Sequence, residues 1–298
     1  MPEEGISFLP KPHLLSFEEM LRMVSIMAEM GIKKVRITGG EPFVRKELMQ
    51  FLRNLVAIPG IEKVNITTNG VLTEPLIPEL KALGINSINL SLDTLDRERF
   101  KEMTRRDELP KVLKTLDALL ANGIDTKVNA VIMAGKNDQD ILPLVGLSKE
   151  MPVSVRFIEE MPFNGSGLNE DAFMGYKSIL ERIKAEHPSL SKITDEAHST
   201  SYNYSIENHI GNIGVIAAFS RTFCGTCNRI RVTPTGTLKT CLYDDGVLNI
   251  RDLLRETSDD GFIKSKLAEA FTHRAKDGFE AEANRTSLVT ESMTTIGG

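Results

Sequence analysis

The stretch FCGTCNRIRVTPTGTLKTCLY, residues 223–243, contains every cysteine of the chain. Cys224 and Cys227 are separated by two residues, and Cys241 follows after thirteen more. Spacing this short lets one turn point both sulfurs at the same metal, and thiolates suit soft metals. Three thiolates leave one coordination position open. Two chemistries fit. A structural zinc site would need a fourth ligand, and His209, fifteen residues before Cys224, is the nearest upstream candidate. A [4Fe–4S] cluster on three cysteines would instead keep one iron open for a substrate. Arg229 and Arg231 share a face if the segment is extended, so their guanidinium groups form either a phosphate clamp beside the open position or a solvated basic edge.

RITGGEP, residues 36–42, sets two glycines at the carboxyl end of a strand-like run. Glycine lets a backbone approach a ligand closely, and strand carboxyl ends are where α/β folds build sites. The surrounding pattern supplies the elements. Residues 16–31 read as a helix: Ser16 caps it, Glu19 completes a capping box and Gly31 stops it. A strand followed by a loop is expected at 33–40, and strands at 64–70, 85–93, 126–133 and 153–161. Helices are expected near 46–57, 74–83, 96–103, 110–122 and 138–150. Strand and helix alternate in the manner of βα units, so the fold class is α/β with a parallel sheet.

Strand parity narrows the architecture. Val35 and Ile37 oppose Arg36; Val64 and Ile66 oppose Asn65 and Thr67; Ile88, Leu90 and Leu92 oppose Asn89, Ser91 and Asp93; Val128 and Ala130 oppose Lys127 and Asn129; Val155 and Phe157 oppose Ser154 and Arg156. Each strand thus has an apolar face for helices and a polar face. A packed eight-stranded barrel fills its interior with branched apolar residues. A polar, cationic face points to an incomplete or wide barrel with a ligand in its lumen, the alternative being a sheet with one solvated face. After residue 161 the pattern changes. A second region is expected over 162–298, with a helix at 175–186, short strands broken by Gly211 and Gly214, the cysteine segment and a polar tail ending Gly297-Gly298.

Composition sets bounds. The chain has 298 residues, 41% hydrophobic and 26% charged, with a net charge of -5. No global basic field is available for nucleic acid, so an anionic ligand needs local cations. No apolar run is long enough for a membrane span and no signal pattern opens the chain, so a cytoplasmic protein is expected.

Taken together, KKVRITGGEP, ITTNG, INLSLDT, RFIEEMP, the cysteine segment with its NRIR insert and the terminal IGG resemble the GTP 3',8-cyclase family of radical S-adenosylmethionine (SAM) enzymes, in molybdenum cofactor biosynthesis. The resemblance implies a partial TIM-type radical SAM βα barrel over 1–161. It implies a C-terminal region, 162–298, carrying an auxiliary [4Fe–4S] cluster on Cys224, Cys227 and Cys241. It implies SAM-derived radical chemistry that turns GTP into (8S)-3',8-cyclo-7,8-dihydroguanosine 5'-triphosphate, with the guanine base at the open iron. Carried over by position, Arg36, Thr67, Lys127, Arg229 and Arg231, with Arg156 added, would contact GTP. Gly40, Ser91 and Met161 would contact SAM. The partners implied are GTP, SAM and a downstream cyclic pyranopterin monophosphate synthase, with a homodimer as an open alternative and no nucleic acid or membrane.

One departure stands out. The family's SAM-cluster motif, Cys-x₃-Cys-x₂-Cys, has no counterpart before Cys224, and MPEEGISF resembles the stretch that follows it. The expectation is therefore a chain lacking the barrel's first strand and the ligands of the second cluster, inactive alone. No catalytic residue is assigned. The alternatives are a GTP-binding single-cluster protein without turnover, a zinc-stabilised binding module and a radical SAM peptide maturase.

Overall fold

The computed structural model describes residues 9–161, 163 and 173–286. The chain forms two compact units, each drawn from separate stretches of sequence. One comprises residues 1–65, 163–165 and 228–298; the other comprises 66–162 and 166–227.

In the first unit, helix α1 (Phe17–Glu29) opens on the expected capping box. Ser16 Oγ accepts from Glu19 N at 3.1 Å and Glu19 Oε2 accepts from Ser16 N at 2.8 Å. Strand β1 (Lys34–Ile37) and helix α2 (Leu48–Val56) follow. Phe17 stacks on Phe51 with ring centroids 4.5 Å apart, joining α1 to α2. The C-terminal part supplies an antiparallel sheet of β9 (Arg231–Val232), β10 (Thr237–Lys239) and β11 (Leu248–Asn249). Helices α8 (Ile250–Glu256), α9 (Asp260–Thr272) and α10 (Gly278–Ala283) complete it. Arg22 clasps α1 to this part, donating to Leu254 O, Thr257 O and Asp260 Oδ1 at 2.7–3.0 Å.

The second unit is built on β2 (Lys63–Thr68, whose start lies in the first unit), β3 (Ser87–Ser91), β4 (Asp125–Ile132), β5 (Val153–Glu159), β6 (Ser191–Lys192), β7 (Tyr202–Ser205) and β8 (Asn212–Ile216). Its sheet order is β2-β3-β4-β5-β8-β7-β6. Pairing is parallel from β2 through β8 and antiparallel beyond. Helices α3 (Ile77–Ala82), α4 (Arg97–Thr104), α5 (Leu109–Ala121), α6 (Ile141–Glu150) and α7 (Tyr176–Glu186) fill the connections. Leu90, Val128, Val155, Phe157 and Val215 of the sheet and Val112, Leu144 and Ile183 of the helices are fully buried in one core. Among the described residues the strand order of this unit runs from β2 to β6 as an open series, which supplies the parallel α/β layer of the expected partial barrel.

Parity and burial agree closely along β4, where exposed or half-buried residues alternate with buried ones over its whole length. β1 is the exception. Val35 and Ile37 are only half-buried and Arg36 is exposed, so the apolar face expected there is weakly used. β8 adds a fifth parallel partner that the broken pattern of 202–220 concealed. Its Gly214 is required: a Cβ there would sit 2.3 Å from Ser201 Oγ and 3.1 Å from Arg156 Cγ. No helix among the described residues is long and apolar enough to cross a membrane.

Candidate functional site

Strand register collects the polar residues of the second unit into two rows. Thr67 pairs with Asn89, Asn89 with Lys127, Lys127 with Ser154 and Ser154 with Asn212. One step towards the carboxyl ends, Ser91 pairs with Asn129, Asn129 with Arg156 and Arg156 with Gly214. Paired residues of adjacent strands project to the same side, so Thr67, Lys127, Ser91 and Arg156 share a face. Asn89 is 3% exposed and Ser154 8%, too enclosed for a plain solvated face. Asn129 Oδ1 is buried without a hydrogen-bond partner. An orphaned acceptor is costly unless a ligand supplies a donor.

Lys127 does not stand alone in its row. Its Nζ pairs with Asp125 Oδ2 and donates to Ser87 Oγ at 3.0 Å. Ser87 Oγ in turn donates to Asp125 Oδ2 at 3.0 Å. Burial pushes the Asp125 carboxyl up, but hydrogen bonds from Lys127 and Ser87 and the attraction of Lys127 and Arg156 outweigh it. The carboxyl stays below the usual range and ionised at neutral pH. Asp93, two residues past Ser91, behaves oppositely. Burial of its carboxyl pushes it up to about 6, against one stabilising bond from Val131 N at 2.8 Å. Met161 is half-buried just after β5.

Cys224 and Cys227 lie in the same unit at the two ends of a tight turn, where Cys227 N donates to Cys224 O at 3.1 Å. The segment leading to this turn is fixed by Glu159, the last residue of β5 and fully buried. Its carboxylate accepts from Tyr176 N, Phe219 N, Ser220 N and Ser220 Oγ at 2.7–2.9 Å. Tyr202 donates its hydroxyl to Thr222, and His198 Nδ1 meets Thr226 O, both at 2.8 Å. His209, the candidate fourth zinc ligand, instead bonds Ser148 Oγ through Nδ1 at 2.8 Å and packs edge-on against His187.

The remaining candidates belong to the first unit. Arg36 is exposed as a residue, but its pKa is lowered, first by desolvation of the guanidinium group and then by its cationic neighbour Arg229. Like charges held together favour an anion between them. Arg231 stands on β9 opposite Lys239, which is fully buried. Gly40 is exposed, with no atom near the position a Cβ would take. Cys241 is carried by a loop wrapped round Asp244, whose carboxylate accepts from Thr240 N, Thr240 Oγ1, Cys241 N and Gly246 N. Arg285 closes the loop from behind, pairing with Asp245 at 2.8 Å. The terminal Gly297-Gly298 pair lies outside the described residues.

None of the three cysteines is in a disulfide; Cys224 and Cys227 share the turn of the second unit and Cys241 belongs to the first. Among the described residues no three His, Cys, Asp or Glu side chains are gathered into a metal-binding group. Sequence reasoning found the two polar rows and missed Glu159, Asp125 and Asp244. The one available signal was an acidic residue on the apolar parity of β5, which is where Glu159 sits.

Comparison with known proteins adds the family. The chain matches the Radical SAM superfamily model over residues 3–147 and the Molybdenum Cofactor Synthesis C model over 153–279. It is 35% identical to the mitochondrial GTP 3',8-cyclase of Arabidopsis thaliana, over 100% of this chain and 76% of that protein. It is 37% identical to the GTP 3',8-cyclase of Chlorobaculum tepidum, over 95% of this chain and 86% of that protein. It spans less than half of some longer relatives, such as 40% of Homo sapiens molybdenum cofactor biosynthesis protein 1, to which it is 38% identical over 86% of its own length. In fold it is similar to the crystal structure of Streptococcus suis SuiB, with TM-score 0.61 and 16% identity over 84% of this chain and 62% of that one. The chain belongs to the GTP 3',8-cyclase family of radical SAM enzymes.

Proposed function

We propose that this chain binds GTP and SAM and serves the GTP 3',8-cyclase reaction of molybdenum cofactor biosynthesis, in the cytoplasm, handing its product to a cyclic pyranopterin monophosphate synthase. The observation that carries this reading is the pair of polar rows. They set Thr67, Lys127, Ser91 and Arg156 on one face of the second unit, in a chain with no general excess of positive charge. In this reading Lys127 and Arg156 attract the triphosphate and Thr67 offers it a hydroxyl. Ser91, Gly40 and Met161 receive SAM. Arg36, Arg229 and Arg231 bind the anionic end of GTP through charge-assisted hydrogen bonds. Cys224, Cys227 and Cys241 hold a [4Fe–4S] cluster. When bound, that cluster supplies an open iron for the guanine base, and SAM at a second, reduced cluster supplies the radical chemistry. The cysteines of these 298 residues provide for the first of those clusters only.

The test begins with anaerobic reconstitution of the purified chain with iron and sulfide. About four irons per chain are expected, lost when Cys224, Cys227 or Cys241 is replaced by Ser. Titration calorimetry on the reconstituted protein should show GTP bound more tightly than ATP, because only guanine would be read at the open iron. Stoichiometric zinc with no uptake of iron, or equal affinity for the two nucleotides, would refute the reading.

A further inference from the structure

We propose that Asp125 is an internal counter-ion that occupies the phosphate-binding end of Lys127 and is displaced when a polyphosphate binds. The inference rests on the reading of Lys127 as a phosphate contact. Lys127 is the cation at the middle of the first polar row, and its ammonium is already paired with Asp125. The two lie on the same face of β4, two residues apart. Ser87 on β3 bonds both partners, accepting from Lys127 and donating to Asp125. Arg156, from β5, attracts the same carboxylate. The carboxylate therefore presents to Lys127 what a phosphate oxygen would present, a negative acceptor at hydrogen-bond range, and adds a longer-range attraction for Arg156. The Lys127 side chain is 19% exposed and that of Asp125 60%. The acid can thus swing into solvent while the lysine stays in place. A phosphate reaching Lys127 competes with this carboxylate for the ammonium, so Asp125 weakens phosphate ligands while leaving a cationic ligand such as SAM untouched. Because the carboxyl is held ionised at neutral pH, the competition is permanent there and is not a pH switch.

Calorimetric titration of the full chain with tripolyphosphate, GTP and SAM tests this. Asp125→Asn should tighten tripolyphosphate and GTP by about fivefold, the upper range for a partly exposed ion pair, and leave SAM unchanged. Asp125→Glu should restore the parental affinity. Lys127→Ala should weaken both phosphate ligands and abolish most of the gain from Asp125→Asn in the double variant. A purely structural role would instead make Asp125→Asn neutral or weakening, and that result overturns the proposal. If Lys127→Ala leaves GTP affinity unaltered, the reading of Lys127 fails and the counter-ion role falls with it. Should Asp125→Asn fold poorly, Asp125→Ser removes the same charge and is read by the same titrations.

Discussion

Three carboxylates in the second unit sit in three different environments, and each behaves as its donors dictate. Asp125 has two cations and a hydroxyl, and stays ionised. Glu159 has four donors around two oxygens in a fully buried site. Asp93 has one backbone N–H and is pushed up to about 6. For Asp93 the sign of the linkage is fixed: its folded pKa lies above the unfolded value. The native state therefore holds the proton more tightly, and stability falls as pH rises from about 4 through 6. The full difference corresponds to about 3 kcal/mol. Asp93→Asn keeps an acceptor for Val131 N and removes the charge. It should raise the melting temperature at pH 7 and leave it unchanged near pH 4. A pH-independent difference between the two proteins would show that burial of the carboxyl is not the cause. Sequence parity put Asp93 on the polar side of its strand but could not show its enclosure, since that depends on residues nearly forty positions away.

At the scale of elements, two braced loops carry the cysteines. The 217–222 segment hangs from Glu159, and the Cys241 loop wraps Asp244. Replacing Glu159 by Gln turns one acceptor oxygen into an amide NH2 donor facing N–H donors, and a buried unsatisfied pair costs about 1–3 kcal/mol. Hydrogen exchange across 217–227 should accelerate in Glu159→Gln, with β2 and β3 unaffected; uniform acceleration would mean that Glu159 supports the whole unit rather than this loop. The strands themselves were legible: β2 to β5 fall within two residues of their expected bounds, and β4 alternates over its whole length. What alternation cannot encode is register with a distant partner. β8 was hidden for that reason. Residues 212–216 look like a short run between glycines, and only pairing with β5 makes them part of the sheet. The capping box of α1 was legible because it is local, closed within four residues. The supports of Glu159 are not, since its partners, three backbone N–H groups and the Ser220 hydroxyl, are 17 to 61 positions away.

For the whole molecule, charge is the property that composition already gave. A net charge of -5 sets the chain against a polyanion at long range, while in the function proposed above Arg36, Lys127, Arg156, Arg229 and Arg231 attract one at contact. The two effects respond differently to salt. Long-range repulsion is screened beyond about 10 Å at 0.1 M ionic strength, whereas contacts with partly buried cations are screened much less. Steered association, which arises when protein and ligand fields are complementary, slows steeply as salt rises. That regime is not expected here. Stopped-flow measurement of GTP binding should give an association rate that stays level or rises slightly from about 50 mM to 500 mM salt, while dissociation speeds up and carries the loss of affinity. An association rate falling more than about tenfold over that range would mean that a positive field reaches well beyond the cations named here. Capture of the nucleotide would then be governed by the field of the whole surface and not by local contacts.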